Sequence, residues 1–260
     1  MNVTTNSVDI GGKELTFELG KIAKQADGSV VVRLGDTMVL VTACAEDDPR
    51  RGVDFMPLTV DYRENAYAGG RIPGGFFKRE GRPTEREILT CRVIDRGLRP
   101  LFPDGWRRET QIIAWVMSAD PQHASDVLGI TGASMALMAA KDIPFDTPLA
   151  GVRVGRIDGE FVLFPTFAEL EESELDLVVA GTQDAIAMVE CGASVLPEAI
   201  ILDALDLAHQ EIRKLIALQR EIVAERGVVK TPFEAAPKAW TDEFEDALRS
   251  RWTDELREAM

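Results

Sequence analysis

The chain has 260 residues, of which 45% are hydrophobic and 28% charged, proportions typical of a globular protein rather than a disordered one. Its net charge is −15, and its longest nearly apolar run, residues 128–140, is too short to cross a bilayer, so we expect no membrane contact. Residues 1–5 lack a basic start before an apolar core, which predicts no signal peptide. Three distant cysteines and only two histidines predict a reduced, cytoplasmic chain without a disulfide framework or a His/Cys zinc site.

The first third of the chain predicts strands at residues 30–32, 38–44 and 55–60, since these runs are rich in β-branched and large apolar residues. Further on, Thr84 followed by Glu87 predicts a capping box, which starts a helix. Gly97 and Pro100 are expected to end that helix. Apolar residues at helical spacing predict its buried face: Ile88, Cys91, Ile94 and Leu98.

The second half of the chain predicts strands and helices in separate runs, which is typical of an α+β fold. The expected elements are a strand at 111–117, a buried helix at 125–141, a hairpin of 152–154 with 161–164, a strand pair at 175–180 and 185–190, and a long helix over about 197–225. A linker at 228–239 should follow. After it, residues 240–260 predict an acidic helix with an apolar stripe of Trp240, Phe244, Leu248 and Trp252.

One segment of this acidic chain is basic. Residues 62–108 contain 11 Lys and Arg against 6 Asp and Glu, a local net charge of +5, which favours a polyanionic partner at one defined place. Within it, Phe76 and Phe77 adjoin Lys78, Arg79 and Arg82, and aromatic rings beside cations are typical of single-stranded RNA or DNA binding. The residues alone leave open a surface loop anchored by phenylalanine packing.

A second set of cations lies on the predicted helix. Arg92, Arg96 and Arg99 fall at helical spacing, so they form one row on its surface. Such a row can contact RNA phosphates. It can equally pair with Glu85, with Asp95 or with a neighbouring subunit, and both interpretations stay open.

The literal sequence of the basic segment resembles a known family. Residues 69–83, GGRIPGGFFKREGRP, and residues 92–103, RVIDRGLRPLFP, are closely similar to the first of the two ribonuclease PH-like core domains of the bacterial polynucleotide phosphorylase family. The resemblance runs over about residues 8–230. It implies a core domain at 1–227 with a β-α-β-α sandwich fold, a linker at 228–239 and the truncated start of an all-helical domain at 240–260.

The resemblance also implies a function. Members of the family degrade RNA from 3′ to 5′ as homotrimeric rings, using inorganic phosphate and Mg²⁺ and releasing nucleoside diphosphates. The resemblance implies further contacts between the complete enzyme and other RNA-degradation proteins. In this chain it assigns RNA contacts to Phe76, Phe77, Lys78, Arg79, Arg82, Arg92 and Arg96.

Two departures from the family pattern predict that this half is not catalytic. In the family's active second core domain, serines at a helix N-terminus bind phosphate, and a G-D-x-D-F-K pattern organises the metal. The matching positions here hold Asp126, which would cap the helix and repel phosphate, and Val178, which replaces the lysine. Asp176 is retained and Glu174 could substitute for the other aspartate. We therefore expect neither a catalytic residue nor a metal ligand here, and expect Mg²⁺ to bind outside this chain.

Three hypotheses follow. The chain is the amino-terminal core of a phosphorolytic exoribonuclease that contributes RNA guidance and ring contacts, a stand-alone RNA-binding or scaffold subunit of an exosome-like ring, or a ribonuclease PH-type tRNA phosphorolase. The helical stripe within residues 240–260 favours the first. Asp126 and Val178 count against the third.

Overall fold

The computed structural model of the chain describes residues 3–234 and 240–260, which form two β-sheets and five α-helices. Sheet A has the strand order β1-β2-β3-β4-β6-β5, antiparallel except for the parallel pair β5 and β6. Its strands span Thr4–Ile10, Lys13–Leu19, Gly28–Leu34, Thr37–Pro49, Leu58–Arg63 and Arg108–Ser118. Sheet B is antiparallel with the order β10-β9-β7-β8. Its strands β7 to β10 span Ala150–Ile157, Glu160–Leu163, Leu175–Gly181 and Ile186–Ala193.

The helices alternate with the sheets in layers. Helices α1 to α5 span Glu85–Leu98, Asp126–Ala139, Phe167–Glu172, Glu198–Glu225 and Asp242–Ala259. On one face of sheet B, Gly151 lies against side chains of α2. On the other face, Gly181 lies against Ile212 of α4. The order of layers is therefore sheet A, then α1 with α2, then sheet B, then α4, which confirms the predicted α+β, β-α-β-α sandwich.

Helix α2 is buried along nearly its whole length because its sequence is apolar or small on every side. Gly132 allows close packing on sheet A, since a Cβ there would lie 2.6 Å from a methyl group of Val41. The few polar side chains are satisfied. Ser134 donates to Gln219 of α4 at 2.8 Å and accepts the Leu149 N–H at 2.8 Å. Packing on both sheets thus fixes where the N-terminus of α2 lies.

Most predicted elements are present, with differences at β5 and on α1. Strand β5 begins three residues later than predicted, at Leu58, because Pro57 cannot donate a ladder hydrogen bond. The capping box of Thr84 and Glu87 is confirmed. The predicted burial of Ile88 is wrong, since its side chain is 49% exposed. Glu87 is buried instead, because its carboxylate accepts N–H groups of Thr84 at 2.6 Å and Glu64 at 2.9 Å.

The sequence patterns also missed two elements. The first is the hairpin of β1 and β2, whose turn holds Gly11 and Gly12 at φ of 62° and 79°, a pair that favours such turns. The second is α3, which begins with a capping box of Thr166 and Glu169. No helix in the described residues is long and apolar enough to cross a membrane.

Residues 228–234, the first part of the predicted linker, contact the core. The ammonium of Lys230 donates to three carbonyls near the end of α2, those of Leu137 and Ala140 at 2.6 Å and of Ile143 at 3.0 Å. Burial lowers the pKa of Lys230 to about 8. The rest of the predicted linker, residues 235–239, lies outside the described residues. Helix α5 begins at Asp242, two residues later than predicted, so Trp240 precedes it. The other three residues of the predicted apolar stripe lie on α5 and are exposed: Phe244, Leu248 and Trp252.

Gly28 on β3 offers a test of the contact between sheet A and α2. A Cβ at this position would lie 1.9 Å from the carbonyl oxygen of Ala136, which is helix backbone and cannot rotate away. Gly28→Ala should therefore lower the free energy of unfolding by at least about 2 kcal/mol in urea denaturation. Gly192→Ala on β10 is the control, because no atom lies within 4 Å of its Cβ position. Equal stability of the two variants would contradict this packing.

Candidate RNA-binding loop and closed anion site

The basic loop, residues 69–83, presents its two aromatic rings to solvent. Phe76 is 94% exposed and Phe77 80% exposed, and their ring centroids lie 5.4 Å apart in an edge-to-face arrangement. The sequence left open that Phe76 packs in the core and anchors the loop. The structure excludes this alternative, because the Phe76 ring lies in solvent. Lys78, directly after the rings, has a φ of 50°, a conformation uncommon for residues with a side chain.

Polar contacts at its two ends hold the loop in place. The Ala66 N–H donates to Glu80 Oε1 at 2.8 Å, and Arg63 donates to the Gly81 carbonyl at 3.3 Å. On the other side, the indole N–H of Trp115 on β6 donates to the hydroxyl of Tyr67. These contacts fix the base of the loop while its apex stays free.

The cations of the apex have no partner among residues 3–234 and 240–260. Lys78, Arg79 and Arg82 are exposed, and none makes a hydrogen bond or an ion pair with any described residue. Unpaired surface cations keep their charge available for an external anion. The structure thus brings together the aromatic and cationic residues that the sequence predicted as RNA contacts.

The arginine row of α1 divides into three different environments. Arg99 donates to both carboxylate oxygens of Asp95, at 2.6 and 3.0 Å, and to the Met56 carbonyl at 2.8 Å, so it ties α1 to the start of β5. Arg96 pairs with Glu190 of β10. Arg92 is exposed and has no partner in the described part of the chain. Arg99 and, at the surface, Arg96 therefore form ion pairs, as one of the two interpretations expected. Arg92 remains available to a ligand.

The position predicted to resemble a phosphate site holds an ion cluster of Asp126, Arg153 and Asp176. Arg153 lies on β7, where Nη1 donates to Asp126 Oδ2 at 3.1 Å and Nε donates to Asp176 Oδ1 at 2.7 Å. Asp126 is the first residue of α2, not its cap as predicted, because Ser125 occupies the cap position. Its Oδ1 accepts the Val127 N–H at 2.8 Å, one of the helix donors that would otherwise face an anion.

The two carboxylates of this cluster occupy the place of a bound anion beside Arg153. Burial alone would lower the pKa of Arg153, but the charges of Asp126 and Asp176 outweigh it and raise that pKa above its usual value. The guanidinium that could bind phosphate is thus already neutralised by two carboxylates. The cluster ties the start of α2 to sheet B, and its two carboxylates against one guanidinium leave a net negative charge that disfavours phosphate.

The same contacts make the residues unsuitable for Mg²⁺. Asp126 and Asp176 share Arg153, and Glu174, the proposed substitute, pairs with Arg156 at 2.5 Å. Val178, where the family pattern has lysine, is buried beside them. Within the described ranges, no group of three His, Cys, Asp or Glu side chains could hold a metal. A divalent cation would have to compete with a guanidinium group for each of these three carboxylates.

Beside the cluster, Ser125 belongs to a buried hydrogen-bond network. The Tyr62 hydroxyl lies 2.7 Å from Ser125 Oγ and donates to Glu64 Oε1 at 2.5 Å, which Ser125 also contacts at 3.0 Å. Burial and the Glu64 charge raise the pKa of Tyr62 far above its usual value. Ser125, the one serine at this helix start, is thus turned towards protein partners.

Sequence reasoning missed two residues of this region. Arg153 had a local signal, since an arginine between Val152 and Val154 in a buried strand needs a counter-charge, but the identity of that partner depends on the fold. Phe167 on α3 had none. Both line a cavity of about 680 Å³ between α1, the start of α2 and α3, together with Arg92 and Arg96.

Comparison with known proteins adds an independent finding. Residues 11–142 match the model of the 3′ exoribonuclease family, domain 1, and residues 147–211 match domain 2 of the same family. The polyribonucleotide nucleotidyltransferase of Heliobacterium modesticaldum is 51% identical over 98% of this chain, and that of Bacillus velezensis is 54% identical over 88%. A crystal structure of Rrp46 from rice (Oryza sativa) superposes with a TM-score of 0.64 at 15% identity, covering 80% of this chain and 94% of that one.

The chain spans about a third of the length of the curated relatives it matches, 35% of the H. modesticaldum protein and 32% of the B. velezensis protein. The matched positions nevertheless include both the basic loop and the ion cluster. At 15% identity the rice structure shows a shared fold only.

Replacement of Arg153 tests the ion cluster. Arg153→Met should lower the free energy of unfolding by about 2 kcal/mol at pH 7, less than for a fully buried pair because Asp176 is 46% exposed. The two carboxylates then face each other without a cation, which costs electrostatic repulsion in the folded state. Thermal unfolding at pH 7 measures the loss.

Arg33→Met is the matched control, because Arg33 pairs with Asp36 at the surface and should contribute little. A loss of stability for Arg153→Met no larger than that for Arg33→Met would contradict the role of the cluster in holding the start of α2 to sheet B.

Proposed function

Because the chain belongs to the 3′ exoribonuclease family, we propose that it is the N-terminal part of a polyribonucleotide nucleotidyltransferase, an enzyme that degrades RNA from 3′ to 5′ with inorganic phosphate and releases nucleoside diphosphates. In this proposal the half described here does not carry out the phosphorolysis. It guides RNA and contributes contacts to the ring.

The observation that carries the non-catalytic assignment is the ion cluster. Phosphorolysis requires a phosphate anion to be held near the scissile phosphodiester, and that requires uncompensated donors. Here Arg153 is occupied by Asp126 and Asp176, and Val178 offers no charge. The same cluster argues against the alternative of an independent tRNA phosphorolase.

The RNA-guiding role is supported by the basic loop. Its exposed rings can stack on bases, which every base permits and which therefore needs no sequence preference. Its unpaired cations can contact the phosphates between those bases. A processive exonuclease needs this kind of sequence-independent grip on a single strand.

The remaining parts of the proposal concern the complete enzyme. It would act as a cytoplasmic homotrimer, with Mg²⁺ and phosphate bound outside this chain and other RNA-degradation proteins as partners. Sheet A supports assembly, because its outer face carries the exposed apolar residues Trp115 and Met117 beside Tyr67. The alternative of a stand-alone scaffold subunit in an exosome-like ring would need the same surface.

We predict that the 260-residue chain alone shows no phosphorolysis of poly(A). Incubation with RNA, phosphate and Mg²⁺, followed by an assay for nucleoside diphosphate, tests this, with a complete polyribonucleotide nucleotidyltransferase as the positive control. The chain should be produced in a host that lacks its own enzyme. Turnover that copurifies with the chain would refute the non-catalytic assignment.

For the cations of the basic loop, we predict that both RNA affinity and its salt dependence decrease when they are removed. Replacing Lys78, Arg79 and Arg82 together with Ala in the complete enzyme should weaken single-stranded RNA binding. It should also lower the slope of log affinity against log salt by about 0.7 for each RNA phosphate that the loop no longer neutralises. The matched control replaces Lys24, Lys141 and Arg220, which are exposed elsewhere and change the net charge equally. If both triple variants behave alike, the loop cations do not contact RNA.

For the rings, the expected signature is different. Phe77→Ala should cost about 1–3 kcal/mol of RNA binding for each stacked base and leave the salt slope nearly unchanged. Because the ring is exposed, the variant should unfold at the same urea concentration as the parent chain. Unchanged RNA affinity in a folded Phe77→Ala enzyme would remove the ring from the binding surface.

A further inference from the structure

Two acidic side chains lie at the base of the basic loop, although the loop itself favours an anionic ligand. Glu80 is the one carboxylate within residues 69–83, and Glu87 lies in the first turn of α1, shortly after the loop. A carboxylate close to cations weakens their attraction for RNA phosphates. Contact with RNA therefore does not explain either residue, whereas their hydrogen bonds do.

The carboxylate of Glu87 joins the two chain segments between which the loop lies. Its Oε2 accepts the N–H of Thr84, the last residue before α1, at 2.6 Å, and the Thr84 hydroxyl at 2.9 Å. Its Oε1 accepts the N–H of Glu64, the first residue after β5, at 2.9 Å. One buried side chain thus connects the chain that enters the loop with the chain that leaves it.

Two further contacts join the same two segments. Arg63, the last residue of β5, pairs with Glu87 Oε1 at 3.6 Å and donates to the Gly81 carbonyl at 3.3 Å. Glu80 Oε1 accepts the Ala66 N–H at 2.8 Å. The entering and leaving segments are therefore bonded to each other at more than one point, and each of these contacts depends on a charged side chain.

The entering segment is in turn anchored to the core. The hydroxyl of Tyr62, which is buried on β5, donates to the carboxylate of Glu64 at 2.5 Å. That carboxylate also accepts the hydroxyl of Ser125, at the start of α2, at 3.0 Å. Because Tyr62 and Ser125 are buried, Glu64 has a fixed position, and the bond from its N–H to Glu87 sets the place of the leaving segment relative to the core.

The charge of Glu87 suits it to this role. Burial alone would raise the pKa of its carboxyl, but the N–H groups of Thr84 and Glu64 and the charge of Arg63 lower that pKa below its usual value. An ionised carboxylate offers an acceptor oxygen to each segment. An amide in its place has a single acceptor oxygen, and its NH₂ would face the N–H group of one of the two segments.

We infer that Glu87 and Glu80 are positioning residues of the RNA-binding surface, which hold the two ends of the basic loop together and do not contact RNA themselves. The inference rests on the proposed function, because it takes the rings and cations of the loop as the RNA contacts. It adds that RNA affinity depends on two side chains that carry the same sign of charge as RNA.

The direction of the effect on RNA affinity separates position from charge. Removing a negative charge beside the loop would by itself strengthen RNA binding. Glu87→Gln in the complete enzyme should instead weaken oligoadenylate binding about fivefold or more, as expected when one base no longer stacks. Glu80→Ala should change the affinity in the same direction, and it should fold normally because Glu80 is exposed. Fluorescence anisotropy in phosphate-free buffer measures the affinity.

Glu169→Gln is the matched control for Glu87→Gln. Glu169 has the same capping-box role on α3, where it accepts the Thr166 N–H at 2.7 Å, and it pairs with Lys13 of β2 rather than with the loop. The control therefore loses a capping carboxylate and one negative charge without loss of a bond between the loop ends. Its oligoadenylate affinity should equal that of the parent enzyme.

A double-mutant cycle with Phe77→Ala tests whether Glu87 acts through the rings. Phe77→Ala should weaken oligoadenylate binding in the parent enzyme and weaken it much less in the Glu87→Gln background, because the ring is no longer held towards the RNA. Trypsin cleavage after Lys78 and Arg79, followed by mass spectrometry, should also be faster in Glu87→Gln than in Glu169→Gln. A residue that only stabilised α1 would change neither the coupling nor the cleavage rate.

The outcomes distinguish this inference from the proposed function. If Phe77→Ala weakens binding by the parent enzyme but Glu87→Gln and Glu80→Ala leave the affinity unchanged or strengthen it, the loop binds RNA and the positioning role is overturned. Additive effects of Phe77→Ala and Glu87→Gln overturn it as well. If Phe77→Ala has no effect on the parent enzyme, the RNA-guiding role of the rings fails first. If Glu87→Gln does not fold, the RNA affinity and trypsin cleavage of Glu80→Ala decide.

Discussion

The packing of α2 against both sheets is the constraint on which the rest of the structure depends. The helix backbone approaches β3 so closely that Gly28 on β3 has no room for a Cβ. Gly132 on α2 likewise has no room for a Cβ, because Val41 of β4 lies against it. A helix enclosed in this way cannot slide or rotate without opening the core. Its first residue, Asp126, is therefore held opposite Arg153 of β7, and the chemistry at this helix start follows from the packing behind it.

The charged side chains close the start of α2 to an external anion and leave the basic loop open to one. At the start of α2, two carboxylates surround one arginine and leave a net negative charge, and the helix donor of Val127 is used by Asp126. In the basic loop, Lys78, Arg79 and Arg82 have no partner within the described part of the chain, so their charge is available to an external anion. A chain with net charge −15 thus exposes a group of cations in one loop, where we propose that RNA binds, while its carboxylates surround the one arginine at the start of α2.

Features set by local sequence were predictable, and features set by distant partners were not. The capping box of α1 and the presence of Asp126 at the start of α2 could be predicted, because a few neighbouring residues decide them. The partner of Asp126 could not, since Arg153 is 27 residues away and meets it only through the strand order of sheet B. The burial of Glu87 rather than Ile88 could not be predicted for the same reason. The Glu87 carboxylate accepts the backbone N–H of Glu64, which β5 brings alongside α1. The site assignments in the basic loop remain predictions.

We infer that Asp126 occupies, and thereby closes, a position able to bind phosphate. Titration of the chain and of its Asp126→Ser variant with inorganic phosphate, followed by calorimetry or ³¹P NMR, tests this inference. Both proteins should carry Arg92→Ala, so that the Arg92 guanidinium, which lines the neighbouring cavity, does not contribute to phosphate binding. Serine should free one side of Arg153 and the Val127 N–H, so we expect the variant to bind phosphate at least tenfold more tightly. Equal or tighter phosphate binding by the chain that keeps Asp126 would contradict it.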